Sequence, residues 1–379
     1  MPKKMLTLGA MEMSYWEKQT WFSNIDFTVI GSGIVGLNCA LGLRARFPKA
    51  KIVVVERGIL PQGASTKNAG FACFGSMSEI LDDLNHHTTA EVCKLVEKRY
   101  KGLKLLRERL SDKAIGYKAY GGYELFSENE ALYQTCMAKV PEINSLLKPV
   151  FKTPVFRLKA NTNGFQNIQE KIIYNAFEGQ IDTGKMMQAL LKKAHSEEIL
   201  ILNNIEVLAF QEQPDCVHVQ TSIIDFKTAK LFVATNGFAA KLIAEDVKPA
   251  RAQVLITKPI KNLRIKGTFH LDKGYYYFRN INNRILLGGG RNLDFKTEET
   301  FDFGQTDVVK TTLKQLLKTV ILPDTPVEVA YFWSGIMGVG ATKKALVKPL
   351  SDRVFCGVRL GGMGVAIGSQ IGEELASLA

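Results

Sequence analysis

The chain has no run of about 18 uninterrupted apolar residues, so no segment reads as a membrane span. It has no fixed-period repeat, no low-complexity linker and no C-x-x-C pair, which excludes solenoids and zinc ribbons. Its six cysteines, Cys39, Cys73, Cys93, Cys136, Cys216 and Cys356, are scattered over 379 residues, as in free thiols of a reducing compartment, and point to a cytoplasmic location. Between Met1 and Trp21, Lys3 and Lys4 are present, but Glu12, Glu17 and Lys18 interrupt any apolar stretch, so no secretory signal is read. Histidine is scarce. His86 and His87 are adjacent in a helical pattern and point apart, and His195, His218 and His270 are isolated, so no metal site is expected and none of them is marked as a base. The net charge is +12, yet there is no block of five like charges and no arginine-rich, aromatic-interleaved stretch. That pattern describes a solvated basic surface and argues against nucleic acid as a partner.

Glycine, by contrast, is abundant and clustered. Asp26 to Ile30 reads as a buried strand, Gly31 to Gly36 spells G-S-G-I-V-G, and apolar residues at helical spacing run from Leu37 to Phe47. Ile52 to Val55 is a second buried strand ending in Glu56 and Arg57. A G-x-G-x-x-G directly after a strand and opening a helix suits a dinucleotide pyrophosphate. Gly31 permits the turn, Gly33 leaves room for phosphate, and Ile34 and Val35 begin the helix whose free N–H groups face it. Gly36 lets that helix approach the sheet. Glu56, twenty residues past Gly36, is placed to accept from both ribose hydroxyls and would repel a 2′-phosphate. The dinucleotide is therefore FAD or NAD rather than NADP.

Further along, Gly63 to Gly70 reads G-A-S-T-K-N-A-G, Ala234-Thr235-Asn236-Gly237 follows a strand, and Arg251-Ala252-Gln253 opens another. Gly288-Gly289-Gly290-Arg291 follows R-I-L-L, and Gly361-Gly362-Met363-Gly364-Val365 precedes the last helix. In this order the set resembles the FAD-dependent oxidoreductases of the D-amino-acid oxidase superfamily, glycine and sarcosine oxidases among them, from about Tyr15 to the C-terminus. The resemblance implies an α/β fold: a discontinuous Rossmann-like FAD-binding domain with an inserted mixed or antiparallel β-sheet substrate domain. The boundaries it suggests are 1–110 (with an N-terminal extension, 1–24), 166–245 and 333–379 for the FAD domain, and 111–165 and 246–332 for the substrate domain. It also implies that Ala64, Ser65, Thr66, Asn68, Ala69 and Gly70 line the path from pyrophosphate to flavin. Val207 would meet the adenine, Ala234 to Gly237 would join the cofactor wall, and Gly335, Gly362, Met363, Gly364 and Val365 would border the flavin. Some relatives fix flavin through a cysteine near Trp333; none stands between Trp333 and Pro349, so the FAD is expected to be non-covalent.

On the substrate side, Tyr275 to Arg279 reads as a strand, so Tyr275, Tyr277 and Arg279 share a face that would suit a flat or anionic substrate. Trp333 to Gly338 resembles the family's W-x-G-x-R-P turn, in which the arginine clamps a substrate carboxylate. Here Met337 stands at that position, which leaves Arg279 or Arg359 as the clamp, or a substrate with no carboxylate beside the reacting carbon. Lys258 is read, from the resemblance, as a lysine near the flavin that assists oxygen. The activity implied is oxidation of a C–N bond in a small amine or N-substituted amino acid, with oxygen or another molecule as final acceptor. Oxidation of a 2-hydroxy acid, trimming of a transfer-RNA base and non-catalytic flavin binding are the alternatives.

Overall fold

The computed structural model describes residues 12–379; Lys3, Lys4 and the first part of the N-terminal extension lie outside the described residues. Ile25–Ile30 and Ile52–Glu56 are strands buried on both faces, as unbroken β-branched runs demand. They form the centre of a first sheet in which Val354–Val358, Phe226–Val233, Ile25–Ile30, Ile52–Glu56 and Leu200–Asn203 lie side by side, all parallel. Leu346–Pro349 closes one edge antiparallel, and Val207–Glu212 and Val217–Thr221 form a meander onto Phe226–Val233. Helices Ile34–Arg46 and Gly364–Ala376 pack together over this sheet through Leu37, Leu43, Ile371 and Leu375. The close approach depends on Gly372, where a Cβ would run into Asn38 and the backbone of Cys39.

The second sheet has eight strands in the order Val329–Val339, Lys248–Thr257, Arg284–Gly289, Tyr276–Ile281, Thr268–Leu271, Gly122–Glu124, Lys171–Asn175 and Phe156–Ala160. Every neighbouring pair is antiparallel except Thr268–Leu271 with Gly122–Glu124. One face buries a stack of Tyr123, Phe269 and Phe278, with ring centroids 4.9 and 4.6 Å apart, beneath helix Asp307–Leu316. Register places Val254, Gly288, Tyr277, His270 and Glu124 in one row across the opposite face. The fold is thus α/β with two multi-stranded sheets.

Several expectations change. Trp333 to Gly338 is not a turn but the middle of the strand Val329–Val339, paired along its length with Lys248–Thr257. That strand crosses the 332/333 boundary. Lys171–Asn175, assigned to the cofactor domain within 166–245, pairs instead in the second sheet. Both are ladder decisions made by distant partners, which composition does not mark. Met77–His86 and Thr89–Leu110 are helices, each opened by a capping box, Ser76 with Glu79 and Thr88 with Glu91.

Phe269 is fully buried between two aromatic neighbours. Phe269→Ala is expected to lower the free energy of unfolding by about 3–5 kcal/mol, read by urea denaturation. A loss below about 1 kcal/mol would show that this stack does not hold the second sheet.

Candidate functional site

A cavity of about 770 Å³ runs from the glycine turn of the first sheet to the open face of the second. At its nucleotide end, Gly31 has φ +100°, and a Cβ on Gly36 would collide with the Gly31 carbonyl, so helix Ile34–Arg46 starts directly against the turn. That helix begins at Gly33 with no side-chain cap, as does helix Gly364–Ala376 at Met363, leaving backbone N–H groups free to meet an anion. Gly33, Ile34 and Val35 line the cavity, and Ile34 N donates to Ser65 Oγ at 2.9 Å. Glu56 lines it too, its carboxylate accepting from Ser32 N (3.1 Å), Ser32 Oγ (3.0 Å), Gly58 N (3.1 Å) and Gln62 N (3.4 Å). Arg57 beside it lies 3.7 Å over the Phe238 ring.

Ala64, Ser65, Asn68, Ala69 and Gly70 form the next stretch of wall. Val207, Ala234, Thr235 and Asn236 line the cavity as well. Gly335, Met337 and Gly362 to Val365 complete this part. Three features fit a dinucleotide: the two uncapped helix starts, the Thr235 hydroxyl, which is buried without a partner, and the open space that a Cβ on Gly364 would enter. These residues suit FAD as the group held here.

Five expected site residues are not in the wall. Gly36 packs beneath it against the Gly31 carbonyl. Thr66 turns away, its hydroxyl donating to Pro61 O at 2.7 Å. Gly237 packs against the Met337 carbonyl, where a Cβ could not fit. Lys258, just past its strand's end at Thr257, is exposed and pairs with Glu328 at 2.6 Å. Arg279 is 2% exposed and off the cavity: its Nε donates to the Ala69 carbonyl, and burial brings its guanidinium down to about 10. Arg359 is engaged as well, Nη1 to Asp246 at 2.7 Å. Neither arginine is a free clamp.

The substrate end contains groups the sequence did not mark. Tyr275 and Tyr277 line it as read, and burial pushes the Tyr277 phenol up to about 12. Beside Tyr277 stands His270, which also lines the cavity, its Nε2 3.3 Å from Glu178 Oε2. Glu178 Oε1 accepts from Phe74 N at 3.3 Å. Burial works against protonating His270, but the hydrogen bond and charge of Glu178, with Glu79 and Glu124 further off, outweigh it and raise its pKa. Nδ1 has no hydrogen-bond partner among the described residues. Cys73 completes a buried trio with Glu178 and His270, ligand atoms within 4.8 Å of one another. Burial beside Glu178 pushes its thiol well above the usual value, so it stays protonated and a poor metal ligand at neutral pH. Arg291 also lines the wall, next to Tyr275. A signal for His270 existed only in three dimensions, since Glu178 lies 92 residues away.

A family model described as FAD dependent oxidoreductase (DAO) matches residues 26–378, and the chain belongs to that family. It is similar in structure to an L-proline dehydrogenase from P. horikoshii, with TM-score 0.75 and 18% identity over 94% of this chain and 93% of that one. An iminodiacetate oxidase from Chelativorans sp. BNC1 gives 0.73 and 17%, covering 93% and 94%. A glycine oxidase from Geobacillus kaustophilus gives 0.72 and 17%, again over 93% and 94%. Among curated proteins, the bifunctional protein ThiO/ThiG of Synechocystis is 22% identical over 245 residues, 61% of this chain and 32% of that protein. The chain thus spans about a third of that relative's length.

Glu56→Gln keeps the shape but loses the charge that organises the Ser32 and Gly58 amides. FAD affinity is expected to fall at least tenfold, measured by dialysis of the holoprotein against limiting FAD, whereas Lys258→Ala should leave it unchanged.

Proposed function

We propose that this protein oxidises a C–N bond in a small amine or amino acid, with FAD held non-covalently in the cavity. Bound FAD supplies the two-electron acceptor for the hydrogen leaving the substrate carbon. The observation that carries the reading is the His270–Glu178 pair facing the cavity beside Tyr277. An ammonium has no lone pair to assist departure of that hydrogen, so an amine substrate must first give up a proton. With Nε2 donating to Glu178, Nδ1 of His270 is the acceptor for it, and Phe74 N holds Glu178 in place. Phe71 packs edge-on against both His270 and Tyr277, at 5.2 and 5.5 Å between centroids, which keeps the two side chains in a fixed relation. The imine product would hydrolyse in water to an amine or ammonia and a carbonyl compound. Oxygen or another acceptor then takes the electrons, and six free cysteines suit a reducing, cytoplasmic setting.

Anaerobic mixing with a panel of amines, N-methyl amino acids, D-amino acids and 2-hydroxy acids should bleach the flavin band with an amine, releasing ammonia or amine. Bleaching by hydroxy acids alone would overturn the C–N assignment, and colour that stays with acid-precipitated protein would overturn non-covalent binding.

The pH dependence follows from the sign of the His270 shift. The neutral form accepts the proton, and its pKa is raised, so kcat/KM should climb with pH through and somewhat above the ordinary histidine range. In His270→Gln that acid limb should disappear along with at least tenfold of the rate. An unaltered limb would assign it to the substrate amine or another group.

A further inference from the structure

The cavity lacks the arginine expected at position 337, and Arg279 and Arg359 are bound elsewhere, yet the Tyr275–Tyr277 wall still carries positive charge. Two lysines there are neutralised: Lys343 pairs with Asp83 at 2.6 Å and Asp82 at 3.3 Å, and Lys273 pairs with Asp82 at 3.5 Å. Arg291 is different. It lines the cavity and has no side-chain hydrogen bond or carboxylate partner among the described residues. The carboxylate whose charge acts on it, Glu298, is already held by Arg251 Nε at 2.8 Å and Gln253 Nε2 at 2.7 Å. The backbone also fixes its position. Gly290, with φ +81°, donates its N–H to the Tyr275 carbonyl at 3.0 Å, and the guanidinium lies 4.7 Å over the Phe295 ring.

Burial lowers the Arg291 pKa, the mark of a charge that has lost water without gaining a counter-ion. Such a group gains most from an anion arriving in the cavity, and a planar guanidinium fork matches a carboxylate. We infer that Arg291 is the anion-binding subsite of this cavity, and that the substrate is an amine carrying a carboxylate held there rather than at position 337. The strand before Arg291 is separated from the strand of Met337 by Lys248–Thr257, two strand spacings or roughly 10 Å. The carboxylate therefore enters from a different side of the cavity than an arginine at 337 would dictate. This rests on the C–N reading above for the word amine, but not for the anion site.

The test is a titration of the oxidised holoprotein with benzoate and with propionate, following perturbation of the flavin absorption band, with propionamide as the uncharged control. Both carboxylates should perturb the band and propionamide should not. Arg291→Met should weaken carboxylate binding at least tenfold at unchanged FAD content, and Arg291→Lys should recover part of it. No response in the unaltered protein, or equal carboxylate affinity in Arg291→Met, would overturn the subsite. Carboxylate binding lost in Arg291→Met while no amine bleaches the flavin would leave the subsite standing and remove only the C–N reading. The reverse result, bleaching by amines with carboxylate affinity indifferent to residue 291, would remove only the subsite.

Discussion

Glu56 accepts four hydrogen bonds at the end of its strand, two from Ser32 and one each from Gly58 and Gln62. A buried carboxylate is tolerable only with such donors, and here they come from two separate loops. The glycine turn after the first strand and the loop after the second are thereby tied to one atom pair. The loop continues into Gly63 to Gly70, whose Ser65 hydroxyl receives the N–H of Ile34. The start of the first helix, the turn before it and the wall opposite are fixed relative to one another by these few bonds. The shape of the nucleotide end follows from them, and the substrate end is built onto the far side of the same loop.

The nucleotide end was legible because its determinants are local. Two unbroken apolar runs, three glycines at fixed spacing and an acid at a strand end each constrain only their neighbours, and all appear where the pattern places them. The second sheet is less so, because its strands are short and take partners from across the chain. Thr268–Leu271 has only four residues, and pairs with one strand nearby and another about 146 residues earlier. Nothing within it announces a strand, so His270 reads as an isolated histidine until its partners are in place.

Arg279 shows how alternation can be right while the conclusion drawn from it is wrong. It does share a strand face with Tyr277, as a period of two requires. The face, however, is covered at that level by Ala69 and Gly70, and the guanidinium runs beneath them to the Ala69 carbonyl. A side chain's face is set by the strand; whether that face meets ligand or protein is set by what crosses above. The same reasoning distinguishes Arg291. It lies past the strand's end and lines the cavity, with the Phe295 ring on its guanidinium.

The segment from Asn68 to Phe74 joins the two ends of the cavity. Asn68 Oδ1 accepts from Gly70 N at 2.8 Å and from the Thr183 hydroxyl at 3.0 Å, which sets the bend after the cofactor loop. Ala69 holds Arg279, Phe71 presses on His270 and Tyr277, and Cys73 lies 3.9 Å from the Met363 sulfur at the start of the last helix. Phe74 then donates its N–H to Glu178 and accepts from Arg99 at 3.0 Å. Seven consecutive residues thus touch the cofactor wall, the aromatic wall and the carboxylate behind His270. A shift of this strip on filling the nucleotide end would be felt at His270 through Phe71 and through Glu178 at once. The contacts around His270 are in this way continuous with those of the nucleotide end, without passing through the core of either sheet.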